Sequence, residues 1–244
     1  MIQLVLPLVT PHRFTFGNLV IHEGIATAVA TLQSVYHPDG RPFPPVFLYG
    51  PPGTGKSHVL RAVSALIETG CAPERRRVEL IRAQGDPPRF PDLSRLVSED
   101  DTCERDLCGV ALDDAHELNA EEQLHLWNLS NKLTRTGSPL IVAARTAPDE
   151  AFVEDPHLQS RITAGLVFRL EPPEDNVRVV ILDKIARDRN IRLARDVGNY
   201  LVTRKSRNVK ELENILEILD STSLQLKRRI TIPLVKSLEK EGII

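Results

Sequence analysis

Short apolar runs alternate with segments of helical period over the first two thirds of the chain. The runs are Val46–Tyr49, Val78–Ile81, Cys108–Leu112, Pro139–Ala144 and Leu166–Leu170. Val46–Tyr49 and Cys108–Leu112 are continuous rather than alternating, the pattern of buried strands. Between them, Ile25–Val35 carries Ile25, Val29 and Leu32 on one helical face. The segment from Ser57 carries Val59, Val63 and Leu66 or Ile67, and stops at Gly70. Glu121–Leu133 is a third helical stretch, closed by Gly137. Tyr36–Pro45, with four prolines and a glycine, and Gly85–Pro91 read as loops. Strands alternating with helices predict an α/β fold, a mostly parallel five-stranded sheet with helices on both faces. After Pro172-Pro173 the strands cease. Asp175–Arg187, Val209–Leu219 and Ile232–Lys240 read as helices, and Leu212, Ile215, Leu216 and Leu219 form a core stripe. The expected division is an extended segment 1–10, an α/β domain 11–171 and a small all-helical domain 172–244.

Composition narrows the function classes. The 244 residues carry 31 basic and 33 acidic side chains, a formal net charge of −2. Such a balance argues against a protein whose affinity rests on wrapping nucleic-acid backbone. No apolar run approaches the ~20 residues needed to span a bilayer, so no membrane role is expected. The apolar start has no basic n-region or cleavage site, so it does not read as a secretory signal. Cys71, Cys103 and Cys108 fit no zinc spacing and read as reduced thiols, which points to the cytoplasm. Arg75–Arg77 and Arg228-Arg229 read as solvated charge runs.

Two motifs carry chemistry. Gly50-Pro51-Pro52-Gly53-Thr54-Gly55-Lys56-Ser57 matches the G-x-x-x-x-G-K-[ST] phosphate loop and lies between a predicted strand and a predicted helix. Its glycines let successive N–H groups converge on phosphate oxygens. Lys56 reaches the β and γ phosphates of ATP, or the β phosphate of ADP, the Ser57 hydroxyl ligates Mg2+, and the helix adds its positive dipole end. His58 follows directly. The second motif, Gly109-Val-Ala-Leu-Asp-Asp114, is an apolar strand ending in two carboxylates. At the carboxyl edge of a parallel sheet, Asp113 would approach the Mg2+ largely through water, and Asp114 would orient or deprotonate the attacking water. His116 beside them reads as a packing residue.

These motifs, followed by a small helical domain, resemble the AAA+ class of P-loop ATPases, and within it DnaA-type proteins. Phe14-Thr-Phe-Gly-Asn-Leu-Val-Ile21 is similar to the DnaA segment that helps cover the base, which implies Val20 and Ile21 as nucleotide contacts. Asp155-Pro-His-Leu-Gln-Ser-Arg161 resembles the DnaA segment ending in an arginine finger, which implies that Arg161 acts in trans on another subunit's γ-phosphate. Asn208-Val-Lys-Glu-Leu-Glu213 resembles the sensor-2 segment of the lid, which implies a nucleotide contact for Lys210. Gln3-Leu4-Val5-Leu6-Pro7-Leu8 is similar to the peptide by which replication proteins dock into the sliding clamp. Gln3 would hydrogen-bond at the pocket edge, Leu4, Leu6 and Leu8 would supply apolar anchors, and Pro7 would reduce the ordering cost. Taken alone, such a terminus reads equally as an edge strand or a tail. The tail, with Thr231-Ile-Pro-Leu-Val-Lys236, looks like that of Hda-like regulatory inactivators of DnaA. The sequence stops at Ile244, after the lid segment, whereas DnaA initiators carry a further helix-turn-helix that reads DNA; no such reader is expected here.

Two departures from the DnaA pattern bear on activity. Leu140-Ile-Val-Ala-Ala-Arg145 has Ala143 and Ala144 where sensor 1 is polar, unless Arg145 or Thr146 substitutes. Lys210 stands where sensor 2 has an arginine and loses bidentate phosphate contact. Both weaken self-catalysed hydrolysis more than binding. The resemblance implies negative regulation of replication initiation in an ADP-bound form, with the sliding clamp, DnaA and, through the clamp, DNA as partners, and a homo-oligomer as an option. The alternative is a helicase-loader-type AAA+ ATPase that binds a replicative helicase and single-stranded DNA. A third reading is an adaptor whose nucleotide is purely structural.

Overall fold

The structure, a computed structural model, describes residues 14–35, 43–70, 77–82 and 107–244. The expected clamp peptide, the loops over 36–42 and 85–91, Cys71, Cys103, Arg75 and Arg76 lie outside the described residues. Those described fall into two compact units, 14–172 and 173–244.

The first unit is built on five strands: β1 (Val46–Tyr49), β2 (Arg77–Arg82), β3 (Leu107–Asp113), β4 (Leu140–Ala144) and β5 (Leu166–Arg169). Their order is β2-β3-β4-β1-β5, and every pairing is parallel. The helices are α1 (Glu23–Val35), α2 (Lys56–Gly70), α3 (Ala120–Thr136), α4 (Pro148–Ala151) and α5 (Pro156–Thr163). Successive strand residues point to opposite faces, and both faces are covered. Phe47, Val110, Leu112 and Val142 pack with Leu126 and Leu129 of α3 and with Leu158 and Ile162 of α5. Val46, Leu48, Ala111 and Ile141 pack with Val29 and Leu32 of α1 and with Val59 and Val63 of α2. Burial on both sides is why the central strands β1 and β4 read as unbroken apolar runs, whereas the edge strand β5 is only partly buried and carries Arg169. Local signals set the helix ends: Asn119 and Glu122 form a reciprocal capping box at α3, which closes at Gly137 with φ +69°.

The second unit holds α6 (Asp175–Asp188), α7 (Arg195–Arg204), α8 (Val209–Leu226) and α9 (Ile232–Lys240). Its core joins Leu182 and Ala186 of α6, Val197 and Leu201 of α7, Leu212, Leu216 and Leu219 of α8, and Val235 and Leu238 of α9. Arg189, after α6, binds Glu213 and Glu217 of α8, the latter at 2.5 Å. The α8 helix runs seven residues past the predicted Leu219. Its last turns expose Leu224 and Leu226, so no buried stripe marks them. Among the described residues no helix is long and apolar enough to cross a membrane.

Candidate functional site

The loop after β1 takes its shape from three glycines. Gly50 has φ +147°, and a Cβ there would lie 2.2 Å from the carbonyl oxygen of Leu170, just after β5. Gly53 and Gly55 have φ +82° and +90°, conformations that L side chains rarely adopt. Between them Thr54 is buried, and its hydroxyl donates to the Pro51 carbonyl at 3.1 Å. Lys56 opens α2 and is 8 % exposed. Its Nζ donates to the carbonyls of Gly50 at 2.6 Å and Pro51 at 2.9 Å. Pro51, Pro52 and Ser57 face solvent. The residues that shape the loop are thus inside, and the Ser57 hydroxyl is outside, beside the first N–H groups of α2. The His58 and Val59 N–H groups bond to the Gly55 carbonyl at 3.0 and 2.9 Å, and the N–H groups before them sit at the positive end of the helix dipole, a setting that suits an anion.

The acidic pair stands at the same edge of the sheet, because β4 alone separates β3 from β1. Asp113, the last residue of β3, is 3 % exposed, and one of its oxygens accepts from the Asp114 N–H at 3.1 Å. Asp114 adopts a left-handed conformation, φ +59°, and starts a single 3-10 turn, Ala115–Glu117, without capping it through its side chain. Burial pushes the Lys56 ammonium down from its ordinary value; Asp113 and then Asp114 oppose that shift, and Arg145 adds to it. Lys56, Asp113 and Asp114 therefore share one electrostatic neighbourhood. Ser57 and Asp113 alone supply too few oxygens to hold Mg2+, so the set fits a Mg2+ completed by phosphate and water oxygens.

Two residues of this neighbourhood were assigned less by the sequence than the structure gives them. His116, expected to be a packing residue, has both ring nitrogens shielded from water, with Nε2 3.1 Å from Glu117 Oε1 but off hydrogen-bond geometry. Burial pushes its pKa down; Glu117 opposes this, while Arg145 and Lys56 reinforce it. Arg145 follows the β4 residue Ala144, which is paired with Tyr49, the residue before Gly50. No sequence signal marked His116, whereas the polar gap at Ala143 and Ala144 did point toward Arg145. Both alanines are fully buried, so no polar side chain stands at those positions.

The segment before α1 is pinned to α2. The Phe14 ring meets His58 edge-on at 5.1 Å, the Arg61 guanidinium lies 4.3 Å from the Phe14 centroid, and His58 Nε2 is 3.3 Å from the Thr15 carbonyl. Beyond it Val20 is half-buried, and Ile21 is 49 % exposed. Arg161 lies on α5, whose first turn is capped by Asp155 accepting from His157 N–H at 2.9 Å and Leu158 N–H at 3.0 Å. Leu158 and Ile162 are fully buried beneath the helix. Arg161 itself is half-exposed and donates to the Asn131 side-chain oxygen on α3. It makes no hydrogen bond or ion pair to Lys56, Asp113 or Asp114. Lys210 belongs to the helical unit, as the second residue of α8, with its side chain exposed and its N–H bonded to the Asn208 cap.

Comparison with known proteins places the chain. Residues 10–169 match the family described as the bacterial DnaA ATPase domain, and residues 175–238 match the Hda lid domain. The chromosomal replication initiator protein DnaA of Campylobacter jejuni is 27 % identical over 237 residues, covering 94 % of this chain and 53 % of that protein. The chain thus spans about half the length of the curated relatives it matches. Domain III of Thermotoga maritima DnaA superposes with a TM-score of 0.79 at 24 % identity, covering 95 % of this chain and 98 % of that one. The AMPPCP-bound DnaA of Aquifex aeolicus superposes at 0.65 with 21 % identity, over 86 % of this chain and 65 % of that one. By its phosphate loop, its acidic strand end and the family matched by residues 10–169, the chain belongs to the DnaA ATPase-domain family as an Hda-like, DnaA-related AAA+ protein.

Proposed function

We propose that this protein is a nucleotide-binding negative regulator of replication initiation, which docks on the sliding clamp and stimulates ATP hydrolysis by DnaA. The observation that carries the reading is a division of labour within one fold. The Gly50–Ser57 loop is shaped to hold phosphate, yet the end of β4 offers only buried Ala143 and Ala144 where a water-positioning polar group is needed. At the same time α5 presents Arg161 at its surface.

When bound, ATP or ADP with Mg2+ would supply the phosphate chain that the loop neutralises. The loop N–H groups and Lys56 hold that charge, Ser57 and Asp113 orient the metal, and Val20 and Ile21 cover the base. Asp114 lies where it can orient a water, but without a sensor-1 partner it does so poorly, so the chain's own hydrolysis is slow. Arg161 acts elsewhere: packed against an ATP-bound DnaA subunit, its guanidinium stabilises transition-state charge there, an effect of about 10³–10⁵ in rate in GTPases. Asn131 holds that guanidinium before the partner arrives. Gln3, Leu4, Leu6, Pro7 and Leu8 bring the chain to clamp-loaded DNA, where it meets DnaA.

The test is DnaA ATP hydrolysis in the presence of DNA-loaded clamp, with wild-type protein or Arg161→Ala. The variant is expected to retain nucleotide and clamp binding and to lose stimulation by at least about 10³-fold. Undiminished stimulation by the variant, or brisk ATPase activity of the chain alone, overturns the reading.

A further inference from the structure

The formal charge of −2 conceals an uneven distribution. Residues 173–244 carry 15 basic and 11 acidic side chains, whereas residues 1–172 carry 16 and 22. Most of the basic excess lies at the end of the helical unit. There 221–244 hold five cations, Lys227, Arg228, Arg229, Lys236 and Lys240, against Glu239 and Glu241. Several other cations of the unit are paired: Arg187 with Asp183, Arg189 with Glu213 and Glu217, Lys205 with Glu239. The run Lys227-Arg228-Arg229 differs in this. All three residues are exposed, and among the described residues their side chains make no ion pair or hydrogen bond.

The backbone holds the run in place. The α8 helix ends at Leu226, and Lys227 takes the left-handed conformation, φ +51°, where glycine is the usual residue. The Arg228 N–H then donates to the Ser223 carbonyl at 3.0 Å, and the Arg228 carbonyl accepts from the Ser223 hydroxyl. Three consecutive cations therefore stand at one fixed corner between α8 and α9. A lysine in that conformation strains the fold more than glycine does. The helix dipole favours a cation at this end, but the effect fades within a turn and calls for one charge, not three.

Three adjacent cations without a local counter-ion fit a dense line of negative charge. Duplex DNA carries one charge per about 1.7 Å of its axis. A single strand is a poorer match, because such sites stack bases on aromatic rings and 221–244 contain none. A lipid surface is a poorer match too. Leu224 and Leu226 are both exposed, but at about 100° per residue they lie on opposite sides of α8 and form no single apolar face to bury. We infer that Lys227, Arg228 and Arg229 bind the phosphate backbone of duplex DNA without reading its sequence. So few phosphates make a weak, salt-sensitive contact, which serves a chain already held at DNA by another tether. The inference goes beyond the proposed regulatory role and needs neither the clamp nor DnaA.

The experiment is fluorescence anisotropy of a labelled duplex of about 30 base pairs with the full chain, without clamp, from about 50 to 200 mM NaCl. Wild type is expected to bind, and its affinity to fall steeply with salt. Lys227→Gly with Arg228→Ser and Arg229→Ser should weaken binding by at least about 10-fold at the lower salt and reduce the log–log salt slope by about 2–3. Arg228→Lys with Arg229→Lys should retain most of the affinity, since a line of phosphates accepts point charges. Lys227→Gly alone should weaken the duplex several-fold while its melting temperature stays level or rises, a combination that a purely structural lysine would not give. Wild type that does not bind the duplex at the lower salt, or a triple variant that binds as wild type does, overturns the inference. So does retention on phosphatidylserine-containing vesicles without duplex binding, which would assign the run to a lipid surface. With the clamp absent, none of these outcomes bears on Gln3–Leu8 or on Arg161.

Discussion

Lys56 shows how the site works at the level of a single side chain. It is buried against Gly50 and Pro51 carbonyls, and burial depresses its pKa while Asp113 and Asp114 hold the shift in check. Burial and the two carboxylates thus act on the Lys56 ammonium in opposite directions, with burial the larger. His116 lies on the other side of the same balance, with burial and Arg145 both disfavouring its charged form. Its folded pKa is below the ordinary 6.5. As pH falls through 6.5 the unfolded chain takes up a proton before the folded one does, so the folded state loses stability until the folded pKa is passed. Above 6.5 the group is neutral in both states and contributes nothing. His116→Gln is therefore expected to lose less melting temperature between pH 7.5 and pH 5 than wild type; an identical loss in both proteins would refute this. The glycine and lysine spacing of the loop was legible because the backbone conformation it demands excludes other residues. His116 was less so, because two of the charges that act on it, Arg145 after β4 and Lys56 on α2, are far away in sequence.

At the scale of elements, the strands were readable and the short helices were not. A strand buried on both faces writes itself as an apolar run, and β1 begins and ends where its pattern does. The α4 and α5 helices are four and eight residues long, too short to show a period, and α7 contains a glycine, Gly198, that lowers its helical signal. A Cβ at Gly198 would meet Val179 and Leu193 at 3.7 and 3.8 Å, ordinary contact distances, so close packing does not demand the glycine. Asp155–Arg161 was read by its resemblance to a DnaA segment, without a helix being assigned to it. The structure supplies the missing step: Asp155 is the N-cap, Pro156 opens the helix, and Leu158 and Ile162 bury its inner face, leaving Arg161 outward. Asp155→Ala removes two capping bonds, at a cost of about 1 kcal/mol. Fraying should fall on α5, the helix that carries Arg161, the proposed finger. Stimulation of DnaA hydrolysis should drop several-fold, with mant-nucleotide affinity unchanged, and Asp155→Asn should restore most of it. Loss of nucleotide binding in step with stimulation would show that the cap supports the whole unit and not the finger's presentation.

For the whole molecule, the charge balance argues against a direct grip on DNA. A chain with 31 basic and 33 acidic residues gains little from phosphate neutralisation, so the proposed role at replicated DNA requires another tether. The N-terminal Gln3–Leu8 peptide is suited to that role: its affinity would come from burying three leucines in an apolar pocket, with Gln3 fixing the register. Apolar burial of this kind is worth roughly 1.5–3 kcal/mol per leucine. Gln3→Ala with Leu6→Ala and Leu8→Ala should therefore abolish co-precipitation with the sliding clamp, while mant-nucleotide binding and melting temperature stay as in wild type. In the hydrolysis assay the same variant should lose stimulation on DNA-loaded clamp but recover it when the protein is supplied in large excess, because mass action replaces the tether. A helicase-loader would behave differently, with single-stranded DNA binding that depends on ATP and is indifferent to the three substitutions. Full clamp capture by the variant would remove the peptide from the mechanism and leave Arg161 and the nucleotide site to account for recruitment.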